Sequence, residues 1–219
     1  MALAVDASSI SAFTTSSTVS WSHTCTGSDR VLFVGVGFNG SALSVTGVTY
    51  NGVAMTEQWD LFAANVGSAG YLLANPATGA NTVEVTFNAA VDVGIAGAVS
   101  FTGADTASPG RTPVSVNGGS ATASVDATDA VSGDIVVDTA FMVTTTTTEG
   151  ANQTLQQKSE AIGGGSSSIG ISTQAGADGG VMSWTLGSGA NSWTTGAIAI
   201  KAGSGGGGGG GSLMGQAVF

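Results

Sequence analysis

VLFVGVGFNGSALSVTGVTYNGVAMT, residues 31–56, decides the fold class. Its first part, with Arg30 in front (RVLFVGVGF, 30–38), is apolar at every second position on both faces. A run of that length reads as a strand buried on both sides. Its second part places Asn51-Gly52 between two alternating runs. That dipeptide is the strongest short hairpin signal, because a type I′ turn needs φ > 0 at both central residues. The spacing predicts a two-residue turn joining 45–50 to 53–57.

Working outward, period-2 alternation continues along the chain. In TVEVTF (82–87), Val83, Val85 and Phe87 share one face, opposite Thr82, Glu84 and Thr86. In DIVVDTAFMV (134–143), Ile135, Val137, Phe141 and Val143 take one face, and Asp134 and Asp138 are expected on the other. Met182, Trp184 and Leu186 repeat the pattern, and Ile198 and Ile200 alternate with Ala197 and Ala199. Turn chemistry at 75–81 (NPATGAN) and 106–113 (TASPGRTP) separates the runs. The run Thr144 to Thr148 reads as an edge strand. No stretch sustains a 3.6-residue period with caps. About a dozen short strands at this spacing predict an all-β fold: a two-sheet, antiparallel, jelly-roll-like β-sandwich with an extended C-terminal arm. Gly35, Gly37, Gly94 and Gly97 lie inside strands, where glycine marks a bulge or a close backbone approach.

Composition narrows the function. The chain has 219 residues, of which 8% are charged and 42% hydrophobic, with 36 glycines and a net charge of −10. An ordinary soluble protein carries about 25% charged residues. The apolar content argues against disorder. Four basic residues cannot neutralise a phosphate track, so no nucleic-acid partner is expected. Cys25 stands alone, which excludes a disulfide within the chain. No run reaches the 18 or so apolar residues of a spanning helix, and no membrane partner is expected. The start, MALAVDASSISAF, lacks the basic residue of a secretory signal and carries Asp6, so synthesis and folding in the cytoplasm are expected. A surface of Ser, Thr, Asn, Gly and Ala with no export route fits a virion protein, assembled inside the host and released by lysis.

One composition break divides the chain. Residues 1–202 form the body, 203–212 (GSGGGGGGGS) a linker, and 213–219 (LMGQAVF) an apolar tip. Gly205, Gly206, Gly207, Gly208, Gly209, Gly210 and Gly211 specify neither helix nor strand. A ten-residue linker of this kind has an r.m.s. reach of about 16–19 Å. Leu213, Met214, Val218 and Phe219 are the expected partner-binding residues, with Phe219 the expected hot spot.

VLFVGVGFNG (31–40), VTGVTYNGVAMT (45–56), NPATGANTVEVTF (75–87), GAVSFTGAD (97–105), GDIVVD (133–138) and VMSWTLGSGANSWTTGAIAIKA (181–202) together resemble a β-sandwich module that recurs in tailed-phage structural proteins and bacterial surface proteins. A glycine-rich tail often follows the last strand of such chains. The resemblance implies a fold and a virion or surface setting, and brings no catalytic residues.

The residues themselves offer little chemistry. His23 lies at i, i+2 from Trp21 and Cys25, on one strand face with Val19. With no further His or Cys, neither a metal site nor a Cys–His pair closes there, and both residues are expected to pack. Glu57 and Asp60 beside Trp59 and Phe62 are conceivable as glycosidase carboxylates. Asp126, Asp129 and Asp134 are conceivable Ca²⁺ ligands, although VDATDAVSGD lacks the dense spacing of a dedicated loop. The glycine run has no Lys-Ser/Thr ending, so it is not a phosphate loop. Trp21 and Trp184 read as core. Trp59 and Trp193 flank turns and are candidates for stacking on a sugar. The expectation is therefore a non-enzymatic structural virion protein with no cofactor and no metal. It would be a decoration (cement) protein on the outer surface of a tailed-phage head. Its partner would be the major capsid protein or neighbouring copies of itself, in a homo-oligomer or lattice. The alternative is a carbohydrate-binding or adhesion module of a fibre or cell surface.

Overall fold

The computed structural model describes residues 1–189 and 191–204. The first half holds nine strands: β1 (Ala4–Ile10), β2 (Thr18–Cys25), β3 (Val31–Asn39), β4 (Val45–Tyr50), β5 (Val53–Ala54), β6 (Thr56–Ala63), β7 (Val66–Ala74), β8 (Gly79–Phe87) and β9 (Val93–Thr102). The second half holds eight: β10 (Val114–Gly118), β11 (Thr122–Asp126), β12 (Ile135–Val143), β13 (Thr147–Glu149), β14 (Thr154–Ser159), β15 (Ser167–Ala175), β16 (Val181–Leu186) and β17 (Trp193–Ile200). All pairings between these strands are antiparallel.

The all-β sandwich is as expected, but the body holds two of them. In the first half, an inner sheet β1-β9-β3-β7-β6 faces an outer sheet β2-β8-β4-β5. In the second, an inner sheet β10-β17-β12-β15-β14 faces an outer sheet β11-β16-β13. The orders match except for the short β5, which has no counterpart in the second half. Counting along each half, the first strand lies beside the last, the last beside the third, and the second beside the penultimate. This is jelly-roll connectivity, present twice. The two inner sheets stack on each other, with β3 against β12, β1 against β14 and β6 against β10. Like strands therefore sit at opposite ends of the stack, as in a two-fold dimer, here within one chain. The four layers run outer, inner, inner, outer.

Three apolar cores fill the three gaps. Leu32, Val34, Val36 and Phe38 of β3 meet Val83, Val85 and Phe87 of β8 inside the first sandwich. Val31, Phe33, Trp59 and Phe101 meet Val137, Ile171, Ile198 and Ile200 between the halves. Trp184, Met142 and Trp193, and beside them Met182 and Val136, fill the second sandwich. The two-sided burial read in 30–38 follows from this stacking, since an inner strand has a core on each face. The inner sheets approach closely because glycines leave room. A Cβ on Gly35 would lie 1.8 Å from Thr139 Oγ1, and one on Gly37 would lie 2.4 Å from the Phe141 ring.

The predicted hairpin is present. Asn51 and Gly52 have φ of 50° and 74°, and Tyr50 pairs with Val53. Its second strand ends at Ala54 instead of running to Glu57. Met55 is buried, and the chain then crosses to the inner sheet as β6. Asp138 takes the face opposite Val137 and Phe141, as expected, but that face is dry as well: it is fully buried against the outer sheet, because β12 has no solvent face.

Candidate functional site

The most distinctive surface feature is the root of the C-terminal arm. The last strand, β17, and its counterpart β9 end at the same place. Ala202 bridges Ala104, and Gly203 N–H donates to Gly103 O at 2.8 Å. Asp105 N–H donates to Lys201 O (2.9 Å), and Lys201 N–H to Pro109 O (2.8 Å). The Lys201 ammonium lies 3.5 Å from Asp105 Oδ2. Backbone N–H groups of Ser108 and Ala107 hold the Asp105 carboxyl below its usual range. Residues 201–203 are thus strapped to the segment between the halves. A cavity of about 250 Å³ opens beside them, lined by Met1, Asp29, Asp105, Gly203 and Ser204 among others. The linker glycines Gly205 to Gly211 and the tip residues Leu213, Met214, Val218 and Phe219 lie outside the described residues.

Both stacking candidates are buried. Trp59 is 6% exposed, and its ring lies between Gly70 of its own sheet and Gly196 of the opposing one. Trp193 is 7% exposed, rests on Gly118 and donates from Nε1 to Ser120 O (3.2 Å). Turns flank both in sequence, but each lies in an inner sheet whose faces are covered, so neither offers a ring to a sugar. Trp184 is core as expected. Trp21 is half-buried and donates to Ser9 Oγ at 2.9 Å.

His23 and Cys25 face the first sandwich and are buried. Ser9 Oγ accepts from Trp21 Nε1 and lies 2.8 Å from His23 Nδ1, to which it can donate or from which it can accept. His23 Nε2 is buried with no hydrogen-bond partner among the described residues. Burial lowers the His23 pKa to about 4, against the pull of Asp6. Asp6 bonds Thr26 and Ser100, not the imidazole, so no Ser–His–Asp relay forms. Burial also pushes the Cys25 thiol up, which disfavours the reactive thiolate.

Four of the five candidate carboxylates are spent on structure, and the fifth, Asp126, is exposed. Asp60 Oδ2 accepts from Val45 N–H (2.9 Å), and Glu57 accepts from Tyr71 OH (3.1 Å). Asp134 pairs with Arg111, and Asp129 accepts from Thr112 N–H (2.9 Å). Among the described residues no three His, Cys, Asp or Glu side chains group to hold a metal ion. All four cations are engaged. Arg111 pairs with Asp134, Lys158 with Glu160 and Lys201 with Asp105, while Arg30 donates to Gly27 O and Pro76 O.

One constellation escaped the sequence. Asp138 Oδ1 accepts from the backbone N–H and the hydroxyl of Ser172 (2.8 and 2.7 Å), and Oδ2 accepts from Trp184 Nε1 (2.7 Å). Burial pushes the Asp138 pKa up to about 7 against these bonds. The β12–β15 ladder is broken here, with no pair between Val137↔Thr173 and Ala140↔Gly170, because the side chain takes the Ser172 N–H. A lone acid inside an otherwise apolar run was the available signal.

No protein-family model matches the chain, and no curated protein matches it in sequence.

Proposed function

We propose that this chain is a structural virion protein: a head decoration (cement) protein of a tailed phage that acts by binding, not by catalysis. The body sits on the outer capsid surface, and residues 205–219 reach from it to the major capsid protein or a neighbouring copy. The observation that carries this reading is the strapped root of the arm. Force or binding energy applied beyond Ser204 is transmitted to the body, since 201–203 are bonded to 103–109. The net charge of −10 also suits an outer position, because the same charge would be repelled by packaged DNA. The engagement of all four cations within the fold supports it further.

The alternative, a carbohydrate-binding or adhesion module, drew on Trp59 and Trp193 and loses its stacking platform with their burial. The test is occupancy on bare heads. A chain ending at Ser204 keeps the whole root. It should melt like the full chain but fail to compete with it for particles. Equal occupancy would refute the attachment role. A large fall in melting temperature would show instead that the arm belongs to the fold.

A further inference from the structure

Gln153 completes the Asp138 constellation and turns it into a reactive arrangement. Its Nε2 donates to Ser172 Oγ at 2.7 Å, and its Oε1 accepts the backbone N–H of Ser183 at 2.7 Å. These two contacts fix which way the amide points. The loop carrying it is pinned from the other side, where Gly150 N–H donates to Ser183 O (2.8 Å). A hydroxyl bonded to a buried carboxylate thus touches a primary amide whose carbonyl oxygen is held by a backbone N–H. The amide carbon lies one C–N bond, about 1.33 Å, beyond an atom in contact with Oγ, so it is within about 4 Å of the oxygen. In the resting contact Oγ lies along the Nε2–H bond, in the amide plane; attack requires the amide to tip about Cγ–Cδ, giving up that bond, so that its face meets Oγ at roughly 3–3.5 Å.

We propose that Ser172 and Gln153 form an intramolecular ester, made once by the chain on itself. Ser172 Oγ attacks Gln153 Cδ as Asp138 takes the hydroxyl proton. The tetrahedral oxyanion on Oε1 is held by Ser183 N–H. The C–Nε2 bond then breaks, and the proton on Asp138 passes to the departing nitrogen, which leaves as ammonia. One C–O bond replaces one C–N bond, no electrons are exchanged, and no other reactant is needed.

The surroundings suit each role. Trp184 holds the second oxygen of Asp138, so the base is oriented. Its raised pKa places its proton affinity near neutrality, where a general base works best. Asp138 and Ser172 are fully buried, which keeps water from the ester once formed. Gln153 is only half-buried, which gives ammonia a way out. The product would tie the start of the edge strand β14 to β15.

The structure contains its own control. Gln156 Nε2 also touches a hydroxyl, Thr173 Oγ1, at 2.8 Å, but Asp138 bonds Ser172 and Trp184 and not Thr173. Only the first pair should react.

The experiment is intact-mass measurement and peptide mapping of the purified full-length chain after incubation near neutral pH. The wild type should be lighter than its sequence mass by one ammonia, not two, with a peptide containing Gln153 joined to one containing Ser172. Ser172→Ala and Asp138→Asn should lack the joined peptide, and Ser172→Thr should restore it. Ser172→Ala keeps the backbone donor to Asp138, so it serves as the test should Asp138→Asn not fold. A wild type at full mass overturns the proposal. So does an ammonia loss that persists in Ser172→Ala, or one that maps to a succinimide at Asn51-Gly52.

Discussion

Two buried titratable residues pull the stability of this protein in opposite directions with pH. His23 is neutral in the fold near pH 7, its pKa lowered to about 4 by burial, but it takes up a proton near the ordinary imidazole value of 6.5 when unfolded. The unfolded chain therefore binds more protons between those values, and acid weakens the fold across that window. Asp138 does the reverse. Its folded pKa is about 7 against an ordinary carboxyl value of 3.8, so the folded state binds more protons and stability falls as pH rises from about 4 to about 7. Each shift corresponds to on the order of 3 kcal/mol, so the two nearly offset in the wild type. His23→Gln should leave a protein that gains stability on acidification from pH 7 towards 4, and Asp138→Asn one that loses it. Urea midpoints at several pH values across that range check both signs. Parallel profiles for the two variants would contradict the assignment.

At the scale of the strand and turn, the β4–β5 hairpin is the place where local chemistry alone decides structure. Gly52 has φ of 74° with open space around it, so a side chain there meets no neighbour and only the backbone objects. Gly52→Val should cost about 1–2 kcal/mol, lowering the melting temperature by about 2–8 °C. Calorimetry checks this, and an unchanged midpoint would sink the turn assignment. The hairpin was legible because Asn-Gly carries its own dihedral preference. The β6–β7 turn was not, although Ala64 and Asn65 also have positive φ (50° and 64°), because its residues do not advertise it. Alternation placed Val83, Val85, Phe87, Met182, Trp184 and Leu186 on buried faces correctly, since outer strands do have one wet side. It also gave Asp138 its correct face, but not that face's burial, and flanking turns were a poor guide to Trp59 and Trp193, because all three lie in inner sheets where both sides are dry. The root of the arm was legible only as a boundary. The Asp138–Ser172–Gln153 cluster joins two strands and a loop that sequence spacing does not connect.

Across the whole molecule, the duplication explains what composition alone does not: how so few charges suffice. The inner sheets are hidden, and only the two outer sheets and the rims meet water. It also makes each half dependent on the other. A chain of residues 1–111 would leave Val31, Phe33, Trp59 and Phe101 facing solvent. Because like strands already sit in two-fold relation, that fragment should self-associate through its inner sheet. Sedimentation velocity decides the matter, and a folded, soluble monomer would show that the halves are independent. The position of β17 carries a mechanical consequence. It lies inside its sheet, bonded along its length to β10 on one side and β12 on the other, and the arm continues directly from its end. Tension applied along the axis of β17 cannot peel bonds away one at a time, as pulling on an edge strand from the side would. It must shear both ladders together, so an attachment of the kind proposed would be seated in a part of the body built to resist load.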